Sequence, residues 1–346
     1  MTSSGPRPDP TRSDSSRPDP GASDRIASDP AAAAASPSTR FGRRRLVAGL
    51  GAVGAAAVGG GSLASAVSRI GSGGARLSQR ADRLGSTTIG QGYRDDTLYV
   101  ALYGHPGSRT LGVMGEQGPE AAADRAIAVA AQYAPLSDRV SAAFEIITTV
   151  ASSSAGSDGD YSNEFSDSLF LPWIDVATRR GMHVVLDLQS GRSTFPSQAR
   201  EIESLLTFPN VSLAIDPEWR VGNDERPGGG RIGSVDGTEV NATVDYLDDL
   251  IRREDLPRKM LVVHQFTPSM VTNKQIIRST PRVRVVFQMD GFGTFELKLG
   301  SWRRTVDDLP PGVTAGWKNF YDEDSPTPTP ARTMSVSPTP VYVSYQ

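Results

Sequence analysis

The chain of 346 residues contains no cysteine, which excludes disulfide bonds, thiolate nucleophiles and thiolate metal ligands. Its formal net charge is only -3, and Lys and Arg are not clustered beyond residue 80, so nothing in the charge pattern predicts a nucleic-acid partner. The glycine-bearing segments at 105–120 and 220–234 do not follow either common phosphate-binding spacing. With 38% hydrophobic residues, the chain can bury a large core by packing alone.

The first 40 residues are rich in Pro, Ser, Asp and Ala, and they contain the motif RPDP twice. A segment of this composition cannot bury enough apolar surface to offset its chain entropy. We therefore predict a disordered region over residues 1–40.

Residues 41–66 resemble a twin-arginine export signal. Arg43 and Arg44 precede a weakly apolar run rich in Gly and Ala, which ends in the small residues Ala64-Ser65-Ala66. We expect export to the cell surface or the extracellular space, with membrane contact only during export. The alternative is a membrane anchor, which the many glycines disfavour. Residues 67–93 form a polar, glycine-rich linker, and residues 94–346 form the folded domain.

Eight short apolar runs follow one another from residue 97 to the end of the chain, and each is typical of a β-strand. They lie at 97–104, 143–150, 183–189, 211–216, 259–266, 282–290, 315–321 and 340–345. Helical patterns lie between them at 119–134, 165–180, 197–207, 237–253 and 268–279. This alternation predicts an α/β fold, a single (β/α)8 TIM-like barrel. The alternative is an open, doubly wound sheet.

The fourth run brings two acids, Asp216 and Glu218, to the carboxyl end of a strand, which is the mouth of a parallel barrel. Side-chain alternation predicts that both acids point the same way, with Cα atoms roughly 6.5 to 7 Å apart. Pro217 cannot donate a ladder hydrogen bond, so strand pairing should stop there. Repulsion within such a pair can keep one acid protonated, as glycoside hydrolysis requires. In a purely structural alternative, Asp216 caps a turn and Glu218 pairs with Arg220.

Several other strands are apolar until they end in polar side chains. The inward positions at these ends are His105 on the first strand, Asp187 and Gln189 on the third, His264 on the fifth, and Gln288 and Asp290 on the sixth. Because the carboxyl ends of barrel strands meet at one face, we expect these side chains to line one pocket.

Two motifs resemble the glycosidase-type barrels of glycoside hydrolase families 18 and 25. They are IDPEW at 215–219 and FQMDGFG at 287–293. In those families a D-x-E motif on strand four supplies the acid, so the resemblance implies that Glu218 is the general acid and Asp216 its partner. It also implies that Gln288 and Asp290 hold the sugar. The chain departs from these families at Pro217, where they carry an aliphatic residue. The whole chain also resembles a group of secreted actinobacterial proteins, which implies nothing about chemistry.

Aromatic side chains near the strand ends favour a sugar ligand, because apolar sugar faces stack on aromatic rings. We expect Trp219, Trp317 and Tyr321 to contact such a ligand. For Trp317, burial in the core is an equal alternative.

A metal site is a competing hypothesis, since His105 and His264 could combine with Asp187, Asp216 or Asp290 to hold zinc or manganese. The sequence contains no H-x-H or H-x3-H pair, and we therefore predict no metal or other cofactor. The two histidines are better explained as hydrogen-bonding residues of the pocket.

The sequence thus predicts a secreted barrel that acts on a polysaccharide or cell-wall glycan, a glycoside hydrolase that uses Glu218 with Asp216. A barrel that binds carbohydrate without cleaving it is the first alternative, and Pro217 favours it. A metal-dependent hydrolase is the second alternative. The oligomeric state is not specified by the sequence.

Overall fold

The computed structural model describes residues 92–346. The predicted disordered region, the predicted export signal and most of the predicted linker lie outside the described residues. No helix in the described part of the chain is long and apolar enough to cross a membrane.

The described residues form strands and helices in regular alternation. The strands are β1 (Leu98–Gly104), β2 (Val140–Ala151), β3 (Ser162–Glu164), β4 (His183–Leu188), β5 (Val211–Ile215), β6 (Val235–Asp236), β7 (Lys259–Gln265), β8 (Val271–Thr272), β9 (Val283–Met289), β10 (Thr314–Asn319) and β11 (Tyr342–Tyr345). The α-helices are α1 (Pro119–Ala131), α2 (Asp167–Arg179), α3 (Phe195–Glu201), α4 (Glu203–Leu206), α5 (Gly237–Arg253), α6 (Phe295–Val306) and α7 (Pro330–Thr333).

Eight of the strands form a closed parallel barrel in the order β1, β2, β4, β5, β7, β9, β10, β11. The barrel closes because β1 pairs in parallel with β2 on one side and with β11 on the other, so that Leu102 lies opposite both Phe144 and Tyr345. The predicted (β/α)8 barrel is confirmed, and the open sheet is excluded. All eight predicted strands are present. The short strand β3 extends the end of β2 in antiparallel orientation, and β6 pairs with β8.

The core has two layers, which follow from side-chain alternation along the strands. Outward residues such as Val100 and Leu102 pack against helices, including Ala122 and Ala126 of α1. Inward residues fill the barrel interior, and in its amino-end half they are largely apolar: Tyr99, Ala101, Ala143, Val185, Ala214, Met260, Val262 and Val286. Tyr93, at the end of the predicted linker, is buried and stacks on Tyr99.

The helices match the predictions in part. The helices predicted at 119–134, 165–180 and 237–253 are present as α1, α2 and α5, and the pattern at 197–207 forms the two short helices α3 and α4. The helix predicted at 268–279 is wrong, because that segment consists of two single 3-10 turns around β8. Asn273 interrupts it with a left-handed conformation, φ 50°. Helix α6 was not predicted, although Thr294 caps its first turn.

Candidate active site

A group of polar side chains fills the barrel interior at its carboxyl end, whereas the amino-end half is largely apolar. The members are Tyr103 on β1, Glu145 on β2, Asp187 on β4, His264 on β7, Gln288 on β9, Lys318 on β10 and Ser344 on β11, together with Asp216 and Asp290, which directly follow β5 and β9. We call this group the polar cluster. All of its members are buried, so their charges and hydrogen bonds act with little screening by water.

His264 is bound to a carboxylate at each of its ring nitrogens. Its Nδ1 lies 2.8 Å from Asp290 Oδ2, and its Nε2 lies 3.0 Å from Glu145 Oε1. Because a neutral imidazole has one N–H, only the imidazolium form can donate both bonds. Burial by itself lowers the pKa of His264, but Asp290, Glu145 and Asp187 outweigh this effect and raise it well above its usual value. The barrel interior therefore holds a positive charge at His264.

Lys318 supplies a second positive charge beside the same carboxylate. Its Nζ lies 3.4 Å from Asp290 Oδ2 and 3.4 Å from the centroid of the Tyr103 ring. The Tyr103 hydroxyl donates to Asp187 Oδ2 at 2.9 Å. Burial raises the pKa of Asp187 to about 6, in opposition to the attraction of His264. Glu145, His264, Asp290 and Lys318 thus form a chain in which carboxylates and cations alternate.

Asp216 and Glu218 lie at the mouth on a turn. Strand β5 ends at Ile215, and Pro217–Trp219 form a single 3-10 turn, so the alternation of a strand does not orient Glu218. Asp216 is only 3% exposed and makes no capping hydrogen bond, whereas Glu218 is partly exposed. In the structural alternative, Arg220 was expected to pair with Glu218. In the structure, Nε of Arg220 lies 3.1 Å from Oε1 of Glu239.

Asp216 is a buried acid whose environment favours its protonated form. Burial, followed by the nearby charges of Glu218 and Asp187, raises the pKa of Asp216 well above its usual value. Asp216 sits inside the barrel and Glu218 at its rim. The charge of Glu218 contributes to the raised pKa of Asp216, so the two acids are close enough to act on each other.

Four buried oxygens of the cluster have no hydrogen-bond partner among the described residues: Glu145 Oε2, Asp187 Oδ1, Asp216 Oδ1 and Gln288 Oε1. The Gln288 amide is oriented by its Nε2, which donates to Ser344 Oγ at 2.7 Å. A Cβ on Gly316 would lie 2.2 Å from Gln288 Oε1, so a larger residue there would displace this amide. Buried acceptors without partners are uncommon in folded proteins, so these oxygens are available to accept hydrogen bonds from ordered water or from a ligand that carries donors.

Two of the predicted pocket residues have structural partners instead. His105 Nδ1 lies 2.9 Å from the carbonyl oxygen of Ile147, and burial lowers the pKa of this histidine. Gln189 Oε1 accepts from the backbone N–H of Ala151 at 3.1 Å, which holds the end of β2. These contacts fix the strand ends around the cluster.

The predicted aromatic contacts are divided between the mouth and the core. Trp317 is fully buried on the outward face of β10 and packs on Trp302 at 5.6 Å, which corrects its assignment as a ligand contact. Tyr321 is 38% exposed and stacks on Tyr345. Trp219 is partly exposed next to Glu218, at the mouth. Of the three, Trp219 is therefore the ring best placed to meet a ligand at the acid pair.

The prediction overlooked Glu145 and Lys318, which are central to the cluster. Each is a single charged residue inside an apolar strand, AFEII for Glu145 and GWKNF for Lys318. Glu145 also shares its parity with Ala143, which faces the interior. A lone charge at an inward position was the signal that could have identified both residues.

A metal centre would require a different arrangement of the cluster. Both nitrogens of His264 are engaged by carboxylates, and an imidazolium cannot ligate a metal. Among residues 92–346, a group of three acids whose oxygens lie within 4.8 Å of one another occurs at Asp158, Asp160 and Glu164, beside β3 and outside the cluster. The cluster therefore does not fit the metal hypothesis.

Two open cavities are present, one among the loops at the carboxyl end of the barrel and one at its amino end. The first, of about 380 Å³, is formed by the loops after β4 and β5 and includes Tyr161, Arg192 and Glu225. The second, of about 630 Å³, lies at the amino ends of β1, β2 and β4 and includes Tyr99 and His183. Neither is lined by a cluster residue, and within the cluster Asp290, at 5%, is the most exposed member.

Comparison with models of known protein families found no match to this chain, and no curated protein sequence matched it.

Proposed function

We propose that this protein is an exported, glycan-active barrel, a glycoside hydrolase in which Glu218 and Asp216 together supply the proton. The observation that carries the proposal is a set of buried acceptors that have no partner among the described residues and lie beside Asp216, a buried acid whose pKa is raised. A carbohydrate offers several hydroxyl donors in a small volume, which matches such a set of acceptors. The protonated acid matches the need to protonate a glycosidic oxygen.

The two acids have different roles because they lie at different depths in the barrel. Glu218 lies at the rim, where a leaving oxygen can reach it, while Asp216 lies below it and keeps the shared proton in the absence of ligand. When the glycosidic bond breaks, the pair gives up this proton through Glu218, and both carboxyl groups are then ionised. Activity should accordingly decline on the alkaline side, where the pair has already lost its proton.

The proposed substrate is a polysaccharide or a cell-wall glycan outside the cell. The partly exposed ring of Trp219 can stack on a sugar next to the acid pair. The extracellular location rests on Arg43 and Arg44 of the predicted export signal, which lie outside the described residues.

A carbohydrate-binding barrel without catalysis is the second candidate. The observation that favours it is the depth of Asp216, which is 3% exposed and lies beside an extended charge network. In that function the buried acceptors would hold sugar hydroxyls, and the acid pair would transfer no proton.

The test is a screen of the purified protein on peptidoglycan, chitin and galactosaminoglycan fragments, with and without a chelator. Glu218→Gln should lower turnover by about 100- to 10,000-fold while it preserves the fold and glycan binding, because the amide has no acidic proton. Asp216→Asn should have the smaller effect, because Glu218 can still carry a proton.

Three results would contradict this reading. Binding without turnover, unchanged in Glu218→Gln, identifies the non-catalytic barrel. Turnover that the chelator abolishes indicates a metal-dependent hydrolase. Turnover that Glu218→Gln leaves intact shows that the acid is elsewhere.

A further inference from the structure

Asp290 has the opposite environment to Asp216, although both follow barrel strands at the mouth. Its Oδ2 lies 2.8 Å from Nδ1 of His264 and 3.4 Å from Nζ of Lys318. Both neighbours are cations, and both are buried. Two cationic donors on one carboxylate oxygen strongly favour the ionised form. One strand end thus presents a protonated carboxyl group and another presents a carboxylate.

The position of the Asp290 carboxylate is fixed by its partners. Its backbone N–H donates to the carbonyl oxygen of Gln265 at 3.0 Å, which holds the residue at the end of β9. His264 is held from its far side by Glu145, and Lys318 is held over the ring of Tyr103. The carboxylate therefore cannot turn without the disruption of two buried ion pairs.

The loops that follow β9 and β10 are tied together beneath the mouth. Lys298 of α6 donates from Nζ to the carbonyl oxygens of Gly291 and Lys318, each at 2.8 Å. The same Nζ lies 3.0 Å from Asp324 Oδ2. Lys298 thereby links Gly291, the residue after Asp290, to the backbone of Lys318. This link holds the Asp290 carboxylate and the Lys318 ammonium group in fixed relative positions.

We propose that Asp290 is the nucleophile of the hydrolysis, with His264 and Lys318 as the residues that position it. This inference rests on the proposed function, and it adds the second carboxyl group of the reaction. In glycoside hydrolysis one carboxyl group must give a proton while another acts in its ionised form. The barrel supplies one of each at the ends of β5 and β9, the two strands that flank β7.

The ion pairs that Asp290 makes with His264 and Lys318 suit the role of a nucleophile better than the role of a general base. A carboxylate paired with two cations is weakly basic, so it is a poor acceptor for a proton from water. The Asp290 carboxylate stays ionised at pH values at which Asp216 is still protonated, and it is a good leaving group when the glycosyl ester is hydrolysed.

The reaction then has two steps. In the first, an oxygen of the Asp290 carboxylate bonds to the anomeric carbon, the bond from that carbon to the leaving oxygen breaks, and the pair of Asp216 and Glu218 gives its proton to the leaving oxygen. In the second, the pair takes a proton from water, the water oxygen bonds to the anomeric carbon, and the ester bond to Asp290 breaks. The enzyme is restored, and the product keeps the configuration of the substrate.

The first experiment uses the wild-type protein and needs no variant. It is incubated with 2-deoxy-2-fluoro glycosyl fluorides of the gluco, galacto and manno series, and the peptides are analysed by mass spectrometry. We expect a covalent glycosyl adduct on Asp290. The anomer formed first from a hydrolysed glycan, followed by proton NMR, should have the configuration of the substrate.

The second experiment uses variants at Asp290 with a matched control. Asp290→Asn should form no adduct and lose more than about 1,000-fold in turnover, whereas Asp245→Asn, a change at an exposed aspartate of α5 outside the cluster, should still be labelled. Azide should restore turnover to Asp290→Ala and yield a glycosyl azide. Circular dichroism checks the fold of each variant, and the wild-type labelling decides the question if a variant does not fold.

The positioning role of Lys318 has its own readout. Lys318→Met should shift the acidic limb of the profile of kcat/KM against pH upward by about 1 to 3 units, because the carboxylate loses a nearby cation. Lys318→Arg should return the limb toward its original position. A purely structural lysine would change the amplitude of the profile and leave the limb in place.

Several outcomes would overturn the inference. Inversion of configuration, an adduct on a different carboxyl group, or normal turnover by a folded Asp290→Asn would each refute the nucleophile while leaving the proposed hydrolase intact. A wild-type protein that neither cleaves a glycan nor is labelled refutes both.

Discussion

The two buried histidines of the barrel interior are predicted to affect stability with opposite dependence on pH. His264 lies in the polar cluster between two carboxylates, whereas His183 lies at the amino end of β4, with its Nε2 2.8 Å from Ser212 Oγ. Both are buried. His183→Gln is therefore a matched control for His264→Gln, since each removes one imidazole from the same interior.

At pH 6, His264→Gln should lower the free energy of unfolding by about 3 to 5 kcal/mol. This is the cost of removing one partner from a buried ion pair, because the carboxylates of Glu145 and Asp290 remain in the interior without their cation. His183→Gln should cost only about 1 kcal/mol at neutral pH, since it removes one hydrogen bond between neutral groups.

The effect of His264→Gln should shrink as the pH rises. The pKa of His264 in the folded protein is raised above the unfolded value of 6.5, so its stabilisation is fully present below pH 6.5. Above that pH the unfolded chain releases the proton and the folded protein keeps it. The wild type then loses about 1.4 kcal/mol per pH unit through this group, until the folded pKa is reached.

The effect of His183→Gln should change in the other direction. Burial, with a smaller contribution from Lys259, lowers the pKa of His183 from 6.5 to about 3. Between those values the unfolded chain binds a proton that the folded protein does not, so this histidine destabilises the wild type progressively as the pH falls. At pH 5 the cost is about 2 kcal/mol, from 1.5 units below the unfolded value. There the variant should equal or exceed the wild type in stability.

Urea denaturation followed by circular dichroism at pH 5, 6, 7 and 8.5 measures these differences, provided that the slope m is unchanged. Parallel curves for the two variants would refute the assignment of a charged His264 and a neutral His183. A loss of about 1 kcal/mol for His264→Gln at every pH would show that its ring carries no charge in the fold.

Two further predictions concern export and closure of the barrel. Replacement of Arg43 and Arg44 by Lys should leave the protein inside the cell, because the twin-arginine pathway reads the paired arginines; normal secretion of this variant would rule out the assignment. Deletion of residues 340–346 removes β11 and leaves β1 and β10 with unpaired edges, so cooperative unfolding should be lost. A soluble truncation that melts cooperatively would show that closure is not essential.

The barrel was predictable because its signals are local and repeated. Each strand is a short apolar run, and an error at one strand end does not alter the alternation with helices. The segment at 268–279 failed because its conformation is set by distant contacts. The Nζ of Lys274 is buried there and donates to Gln265 Oε1 at 3.1 Å and to the carbonyl oxygen of Thr305 at 2.7 Å. Helix propensity alone does not contain these contacts.

The candidate site was predictable in its location and less so in its internal assignments. Strand parity placed Asp187, His264 and Gln288 together, and they do meet in the polar cluster. Parity could not tell which carboxyl group carries a proton, because that depends on burial and on neighbours from other strands. The raised pKa of Asp216 arises first from burial and then from the charges of Glu218 and Asp187, and the ion pairs of Asp290 come from residues on β7 and β10.

The energetic cost of the cluster is itself an argument for function. Six ionisable side chains share the carboxyl-end half of the interior: Glu145, Asp187, Asp216, His264, Asp290 and Lys318. Replacement of buried ion pairs by apolar residues of similar size is often neutral or stabilising by about 1 to 4 kcal/mol, so stability gives no reason to keep them. The amino-end half of the same barrel is closed by residues such as Val185, Met260 and Val286, which shows that an apolar filling is compatible with this fold. The two ends of this barrel therefore differ, because the cluster of buried charges lies at the carboxyl end, where parallel barrels carry their catalytic residues. A functional site requires this difference, whereas a filling that only stabilises the fold does not.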